Sequence, residues 1–160
     1  MNNYLEDYLK VISMSISLKE ITAENWLQAL KLKVKDEQEN FVASNAASIA
    51  QSKFHTFLEC YGIYNEETMV GFAAFGKNPE DDTIWIVRYM IDQNFQGKGF
   101  GKNALPVLIS FMKEKYSCTE IYLDVAEENT LATSLYVKAG FKNTGKKNAH
   151  SPIYKLTLTD

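Results

Sequence analysis

A short loop with glycine at every second position, residues 97–101, separates an apolar run ending at Ile91 from a segment with helical spacing. Because glycine has no side chain, the backbone N–H groups of such a loop can close around an anion at the positive end of the helix dipole. Lys98 and Lys102 add positive charge beside it. This chemistry fits a pyrophosphate, although a glycine-rich turn before a helix is often only a tight connection.

The loop differs from two common phosphate-binding motifs. It lacks the Gly-Lys-Ser/Thr ending of a P-loop, and its glycines are spaced differently from those of the dinucleotide fingerprint. Asp124, at the end of the next predicted strand, does stand roughly where a ribose-binding acid would be. However, tight hairpin turns join the preceding strands, whereas a doubly wound fold would open with strand–helix units.

Two sequence blocks together resemble the GNAT superfamily of N-acetyltransferases. Residues 96–101 are similar to its acetyl-coenzyme A signature, Gln/Arg-x-x-Gly-x-Gly/Ala, and a second family block follows one strand and one helix later, consisting of Val125, Asn129, Ala132, Leu135-Tyr136 and Gly140-Phe141. The resemblance covers roughly residues 16–158. It implies an α/β (α+β) domain with a mixed, mostly antiparallel central sheet of six to seven strands, flanked by about four helices.

The resemblance also implies acetyl-coenzyme A as cosubstrate, without a metal. Main-chain groups of Met90 and Ile91 would pair with the pantetheine arm, and the 96–102 amides would hold the pyrophosphate. Asn129 would contact the pantetheine or anchor the strand–helix turn, and Tyr136 would face the sulfur as the catalytic proton donor. The expected cofactor-binding residues are Met90, Ile91, Gln96, Gly97, Lys98, Gly99, Phe100, Gly101, Lys102 and Asn129.

Acetyl transfer to an amine needs more than a bound cofactor. An amine with a pKa near 10.4 is protonated at pH 7, and freeing its lone pair costs about 4.6 kcal/mol. A base or water relay, a proton donor for the thiolate and a polarising main-chain N–H are therefore expected. Many GNAT relatives carry a glutamate on the strand before the loop, but residues 85–90 contain none. The nearby acids are Asp124, Glu127 and Glu128. The two glutamates are more naturally surface or first-turn acids of the last helix, and Asp124 could support the neighbouring loop. We therefore assign no base.

Several other side chains have two interpretations. Arg88, the only arginine, is expected to form a structural ion pair or else to line the acceptor cleft. Trp26 and Trp85 are predicted to be core residues, with Trp85 as an alternative lining of the acceptor channel. The histidines, His55 and His150, are predicted to be surface or satisfied interior residues.

The acceptor is predicted from a looser resemblance. Residues 63–73 and 88–92 are similar to bacterial spermine/spermidine acetyltransferases, which implies a small-molecule primary amine and favours a polyamine. The basic tail at residues 146–150 weighs against a cationic substrate. A non-catalytic acyl-coenzyme A-binding or sensing module is the alternative, and Tyr136 favours the enzyme because a sensor needs no proton donor.

Composition narrows the possibilities further. A chain of 160 residues suits one domain. The net charge of −3 argues against a nucleic-acid partner. Cys60 and Cys118 are expected to be reduced buried thiols, and with two histidines no usual metal site can be assembled. No apolar run is long enough to span a membrane, and no signal peptide is recognised, so we expect a cytoplasmic protein without membrane contact.

Periodicity divides the chain into an N-terminal extension, residues 1–13, and one acetyltransferase domain, residues 14–160. The extension could form a short amphipathic helix that packs on its own domain or on a second copy, giving a homodimer, and Met14 could equally be the natural start. Strands are predicted at 16–21, 61–64, 69–75, 83–91, 120–126, 141–146 and 153–158. Helices are predicted from an N-cap at Thr22 to Val34, at 45–59, from the loop to 115, and at 129–139 with Gly140 as cap. Pro106 predicts a distortion of the third helix.

Overall fold

A seven-stranded sheet forms the centre of the protein. The structure is a computed structural model that describes residues 14–159, so the predicted N-terminal helix lies outside the described residues. The strand order is β1-β2-β3-β4-β5-β7-β6, and β4 and β5 form the one parallel pair of the described sheet. The mostly antiparallel sheet predicted from the sequence is confirmed. The strands are β1 (Ile16–Glu20), β2 (Leu58–Asn65), β3 (Thr68–Lys77), β4 (Ile84–Ile91), β5 (Glu120–Asp124), β6 (Lys142–Asn148) and β7 (Ser151–Thr157).

Helices cover the sheet, as expected for this fold. They are α1 (Trp26–Lys31), α2 (Asn45–Phe54), α3 (Phe100–Tyr116) and α4 (Thr130–Lys138), and a short 3-10 turn (Asp36–Gln38) follows α1. Gly140, with φ of +100°, ends α4 as predicted. This left-handed conformation is easy for glycine, and an added Cβ would also lie only 3.2 Å from Leu156 Cδ1.

The predicted end of α2 at Glu59 is wrong. The helix ends at Phe54, and β2 begins at Leu58, which pairs with Gly76 of β3. A Cβ built on Gly76 would stand 2.0 Å from the Phe57 carbonyl oxygen, so this glycine lets the chain entering β2 approach β3 closely. Tertiary pairing therefore overrides the helical spacing of residues 55–59.

The predicted bounds of α1 are also too wide. Its N-cap residue is Asn25 rather than Thr22, and the helix stops at Lys31, before Val34. The Thr22 backbone N–H donates to Asn25 Oδ1 at 2.8 Å. Thr22 therefore belongs to the turn that leads into the helix.

The two faces of the sheet carry separate hydrophobic cores. Phe72, Met90 and Leu58 belong to the core on the α1–α2 face, and Leu108 and Leu123 belong to the core on the α3–α4 face. Apolar side chains on alternate positions of β3 and β4 supply both cores, which explains why these strands are apolar almost throughout.

Neither tryptophan is a fully buried core residue. Trp26 is 42% exposed, so its predicted core position is wrong. Trp85 is half-buried at the start of β4, where its ring stacks on Tyr122 with 5.5 Å between centroids. Its Nε1 donates to Thr83 Oγ1. Amphipathic aromatic side chains can thus remain at a rim, with one end apolar and the other polar.

The parallel strands β4 and β5 separate along their length. Their pairing contains Trp85 and Tyr122 alone, so the later part of β4 has no partner on that side among the described residues. A bulge adds to the separation, because Ala74 pairs with Arg88 and Phe75 with Ile86, leaving Val87 unpaired between them. Bulges bend a strand and increase its twist. The result is a wedge-shaped opening at the end of β4 that leads into α3.

Helix α3 is continuous across Pro106. The missing proline N–H leaves the Lys102 carbonyl without its usual helical bond, but this does not divide the helix. Pro106 is exposed, so water can reach this part of the helix surface. The distortion predicted near Pro106 stays a prediction, because continuity of the helix does not test its straightness.

Candidate active site

A cleft of about 420 Å³ fills the opening between β4 and β5. Its lining combines the end of β4, the glycine loop, the start of α4 and the segment after α1. The residues are Val34, Lys35, Gln38, Phe41, Val42, Val87, Arg88, Tyr89, Met90, Ile91, Gln96, Gly97, Gly99, Gly101, Lys102, Val125, Asn129, Leu131, Ala132, Leu135 and Tyr136. The cleft therefore brings together the two sequence blocks from which the site was predicted.

The glycine loop forms one end of the cleft. Gly97 and Gly99 have φ of +75° and +89°, which favour glycine over other residues. No atom lies within 4 Å of a Cβ built on Gly97. Gly101 is in the first turn of α3 and also lines the cleft. Two of these glycines are thus required by backbone conformation, and the surface beside them is open to a ligand.

The amide groups of this loop are available for an anion. Phe95 and Gln96 donate their N–H groups to the Asp92 carbonyl. For residues 97–102, by contrast, no donor bond to any residue of the described chain is present. These amides stand at the N-terminus of a 17-residue helix, where the backbone N–H groups lack helical acceptors and the dipole is positive.

Two side chains, Asp92 and Gln96, hold the loop in place. Asp92, 4% exposed, accepts the Lys33 N–H through Oδ2 and the Asn94 N–H through Oδ1, both at 2.9 Å. Gln96 Nε2 donates to the Ile91 carbonyl at 2.9 Å and to Gln38 Oε1 at 2.8 Å. The loop is therefore tied to the segment after α1. The sequence analysis gave no role to Asp92, although a carboxylate directly after an apolar strand was a usable signal.

Two predicted cofactor-binding residues stand outside the cleft lining. Phe100 is buried, and its ring packs edge-on against Phe95. Lys98 is exposed, with Nζ 5.7 Å from the centroid of the Phe95 ring. Their side chains do not line the cleft, so only their backbone amides remain candidates. The eight other predicted residues line the cleft.

Tyr136 is the predicted catalytic residue, and it lies in the cleft. Its side chain is 7% exposed, and burial raises the pKa of the phenol well above its usual range, with the Asp124 carboxylate acting in the same direction. The hydroxyl makes no hydrogen bond to the described part of the chain. A neutral phenol with a free O–H can therefore donate to a group bound in the cleft.

A second tyrosine stands beside it. The ring centroids of Tyr89 and Tyr136 are 6.4 Å apart, but the Tyr89 hydroxyl donates to the Gly101 carbonyl at 2.6 Å. Tyr89 thus links β4 to the first turn of α3, and its proton is already engaged. The sequence analysis did not anticipate this link, because the contact joins residues twelve positions apart across a loop.

Asn129 and the nearby acids are mostly committed to local structure. Asn129 is the N-cap of α4, and its Oδ1 accepts the Ala132 N–H at 3.3 Å. Glu127 pairs with Lys147 at 2.7 Å, which confirms a surface role. Asp124 accepts from Asn148 Nδ2 at 2.8 Å, which fits the predicted support of a neighbouring loop. Glu127 and Glu128 both precede α4 and are exposed, so of the two predicted positions the surface is correct and the first turn is not.

Arg88 lies in the cleft and has no described carboxylate beside it. No carboxylate of residues 14–159 forms an ion pair with it, so the predicted structural ion pair is not found among the described residues. The side chain lines the cleft, which was the alternative prediction. Nη1 donates to the Val87 carbonyl at 2.8 Å, and the buried Nε has no partner in this part of the molecule. Trp85 does not line the cleft, and both histidines are exposed.

A family model described as the acetyltransferase (GNAT) family matches residues 18–141. The chain belongs to the GNAT acetyltransferase family. The predicted fold and the prediction that this chain is an acetyltransferase are confirmed. Within the described residues of this GNAT protein, no helix is long and apolar enough to cross a membrane, and no group of three or more potential metal ligands is found.

Two relatives from Bacillus subtilis are similar over most of their length. They are the probable spermine N(1)-acetyltransferase of subspecies natto, strain BEST195, and the spermine/spermidine N(1)-acetyltransferase of strain 168. Each is 36% identical over 139 residues, which is 83% of this chain and 91% of the relative. The predicted resemblance to this group of GNAT enzymes is confirmed.

Solved structures of other GNAT proteins share the fold. An N-acetyltransferase from Thermoplasma acidophilum in complex with coenzyme A has a TM-score of 0.66 at 19% identity, covering 91% of this chain and all of that one. A spermidine N-acetyltransferase from Vibrio cholerae in complex with coenzyme A and spermine has a TM-score of 0.68 at 16% identity, covering 88% of this chain and 92% of that one.

Proposed function

We propose that this protein transfers the acetyl group of acetyl-coenzyme A to a primary amine of a small molecule. The observation that carries the proposal is the continuity of one cleft. It joins a loop with unbonded amides at a helix N-terminus to the free hydroxyl of Tyr136. The two ends of acetyl-coenzyme A need different groups. The pyrophosphate needs several N–H donors, and the thioester sulfur needs a neutral proton donor when it leaves.

The residues of the cleft fit the cofactor. The loop amides of residues 97–102 would hold the pyrophosphate, with Lys102 adding positive charge. Main-chain groups of Met90 and Ile91, where β4 has no paired residue on the β5 side, would pair with the pantetheine, and Asn129 also lines the cleft. When bound, acetyl-coenzyme A supplies an activated acetyl group as a thioester.

The amine must reach the cleft without its extra proton. For an ammonium group with a pKa near 10.4, loss of the proton at pH 7 costs about 4.6 kcal/mol. No carboxylate or histidine is found among the lining residues of the described chain. We therefore assign deprotonation to water, with no side-chain base.

Tyr136 completes the proton balance. As the nitrogen attacks the acetyl carbon, the new C–N bond forms, the C–S bond breaks, and the sulfur leaves with the electron pair. The phenol gives its proton or a strong hydrogen bond to the sulfur, and the proton lost by the attacking nitrogen restores the phenol. This exchange matters because net transfer from a phenol near pKa 10 to a thiolate near 8.5 is unfavourable by about 2 kcal/mol. Burial of Tyr136 raises its pKa and increases that difference.

The relatives supply a candidate acceptor. Both Bacillus relatives are named for spermine or spermidine, and one structural neighbour contains spermine. A polyamine is therefore the acceptor that similarity favours. Cytoplasmic location is part of the proposal, supported by two cysteines that are free thiols, as is usual in a reducing compartment. A homodimer stays a prediction.

Thiol release from acetyl-coenzyme A across an amine panel tests this function. The panel includes spermine, spermidine, diamines, amino acids and an aminoglycoside, and a reaction without amine is the control. We expect release that depends on one class of primary amine. Coenzyme A binding by calorimetry without release for any amine would instead support the non-catalytic module. If another class is acetylated and spermine and spermidine are not, the polyamine assignment is wrong and the transferase assignment stands.

A further inference from the structure

Arg88 carries a positive charge that no carboxylate of residues 14–159 neutralises. Its cross-strand neighbours on β3 and then β2 are Ala74 and Cys60, both small and uncharged. Residues paired across neighbouring strands share one face of the sheet, so Arg88 lies in one row with these two residues. An arginine in a row of small, uncharged residues within a sheet rarely lacks an acidic or other hydrogen-bonding partner.

The guanidinium has donors to spare. Within residues 14–159 it makes one hydrogen bond, from Nη1 to the Val87 carbonyl. Its Nε is buried without a partner in the same residues. Guanidinium has five N–H donors in a planar fork that matches the two oxygens of a carboxylate. The guanidinium thus has free donors for an anion that the described part of the chain does not supply.

Charge in the surrounding cleft points the same way. Lys35, Arg88 and Lys102 are the cationic side chains of its lining, and the described lining contains no carboxylate. Glu39 borders only the adjoining cavity of about 340 Å³, and it is exposed. A polyamine would bring further positive charge to this wall, where no acidic side chain of the described lining would balance it.

The cofactor pyrophosphate does not account for Arg88. The phosphate-binding loop begins after Asp92, four residues further along the chain, and strand geometry puts about 10 Å between the Arg88 and Ile91 backbones. Arg88 projects from the same face of β4 as Met90, toward the α1–α2 core. The anion that it can meet must therefore enter with the acceptor.

We propose that Arg88 binds a carboxylate of the acceptor, so that the preferred substrate is a primary amine that also carries a carboxylate, such as an amino acid. This inference rests on the proposed acetyl transfer and replaces the polyamine by another class of amine. The carboxylate would neutralise the guanidinium and hold the amine in one orientation.

Matched acceptor pairs that differ only in the carboxylate provide the test. They are ornithine with putrescine, and lysine with cadaverine. We expect the amino acid of at least one pair to have a kcat/KM about tenfold or more above that of its diamine. Arg88→Gln should raise the KM of the amino acid and bring the ratio within about threefold of unity, while coenzyme A affinity is unchanged. Arg88→Lys should retain part of the preference, because it keeps the charge but loses the fork.

Lys53→Gln is the matched control. It removes one exposed positive charge from α2, outside the cleft, and should leave the ratio at the wild-type value. Diamines acetylated as well as or better than the amino acids would overturn the carboxylate assignment while leaving acetyl transfer intact. A preference for amino acids that survives Arg88→Gln would also overturn it. Absence of thiol release with every amine would refute the proposed function and, with it, this inference.

Discussion

Replacement of Gly99 by valine should weaken coenzyme A binding while leaving the domain folded. Gly99 is exposed and has φ of +89°, and a left-handed conformation costs an L-residue about 1–2 kcal/mol. An added Cβ would lie 3.3 Å from Asn103 Nδ2, which donates to the Gly99 carbonyl at 2.7 Å. The loop can relieve this strain by turning, which moves its amides away from their common direction. We expect the Kd for free coenzyme A to rise tenfold or more, equivalent to about 1.4 kcal/mol.

Isothermal titration calorimetry with coenzyme A measures this change, and thermal unfolding checks the fold. Gly145→Val is the matched control. Gly145 also has a positive φ, +78°, with open space around its Cβ position, but it lies in β6 outside the cleft lining. It should show the backbone strain as a lower Tm without a change in Kd. An unchanged Kd for Gly99→Val, or an equal loss of binding in both variants, would refute the assignment of the loop amides.

Three further substitutions separate chemistry from positioning. Tyr136→Phe should lower kcat by roughly 10²-fold or more in steady-state assays, with coenzyme A affinity nearly intact, because it removes the proton donor and keeps the ring. A kcat within a few-fold of wild type, with chemistry rate-limiting, would exclude this role. Tyr89→Phe removes the bond to the Gly101 carbonyl and should reduce the free energy of unfolding by about 1 kcal/mol in urea titrations, with kcat within a few-fold of wild type. A loss of kcat as large as that of Tyr136→Phe would mean that the two tyrosines are assigned the wrong way round. Asp92→Asn turns one of its two acceptor oxygens into a donor facing an N–H, and should cost about 1–3 kcal/mol of stability and weaken coenzyme A binding. Unchanged stability and binding would show that Asp92 does not hold the loop.

Local sequence patterns predicted the elements well where tertiary contacts agree with them. The apolar runs of β3 and β4 indicated two central strands, and the glycine loop indicated the start of α3. Where contacts with residues distant in the sequence determine the structure, the local patterns gave wrong predictions. Residues 55–59 continue the helical spacing of α2, but Gly76, across the sheet, admits Phe57 and favours a strand. Trp26 is a large aromatic residue of the kind that is often buried, yet its position in the short helix α1 leaves it partly exposed.

The candidate site could be predicted as a set of residues but not as a set of contacts. The two family blocks indicated Tyr136 and the glycine loop, and the structure brings both to one cleft. The contacts of Asp92 with Lys33 and of Tyr89 with Gly101 depend on loops meeting in space, which spacing alone does not reveal. The ion pair expected for Arg88 is not found within residues 14–159, because its neighbours across the sheet are Ala74 and Cys60.

Transfer of labelled acetyl is the direct test of the proposed acetyl transfer from acetyl-coenzyme A to a primary amine. Acetyl-coenzyme A with isotope in the acetyl group is incubated with the enzyme and the amine panel, and the amines are analysed by mass spectrometry. We expect labelled N-acetyl amine in step with thiol release, and a roughly 10²-fold slower rate for Tyr136→Phe. Thiol release without labelled amine, or label transfer that is equally fast in Tyr136→Phe, would contradict it.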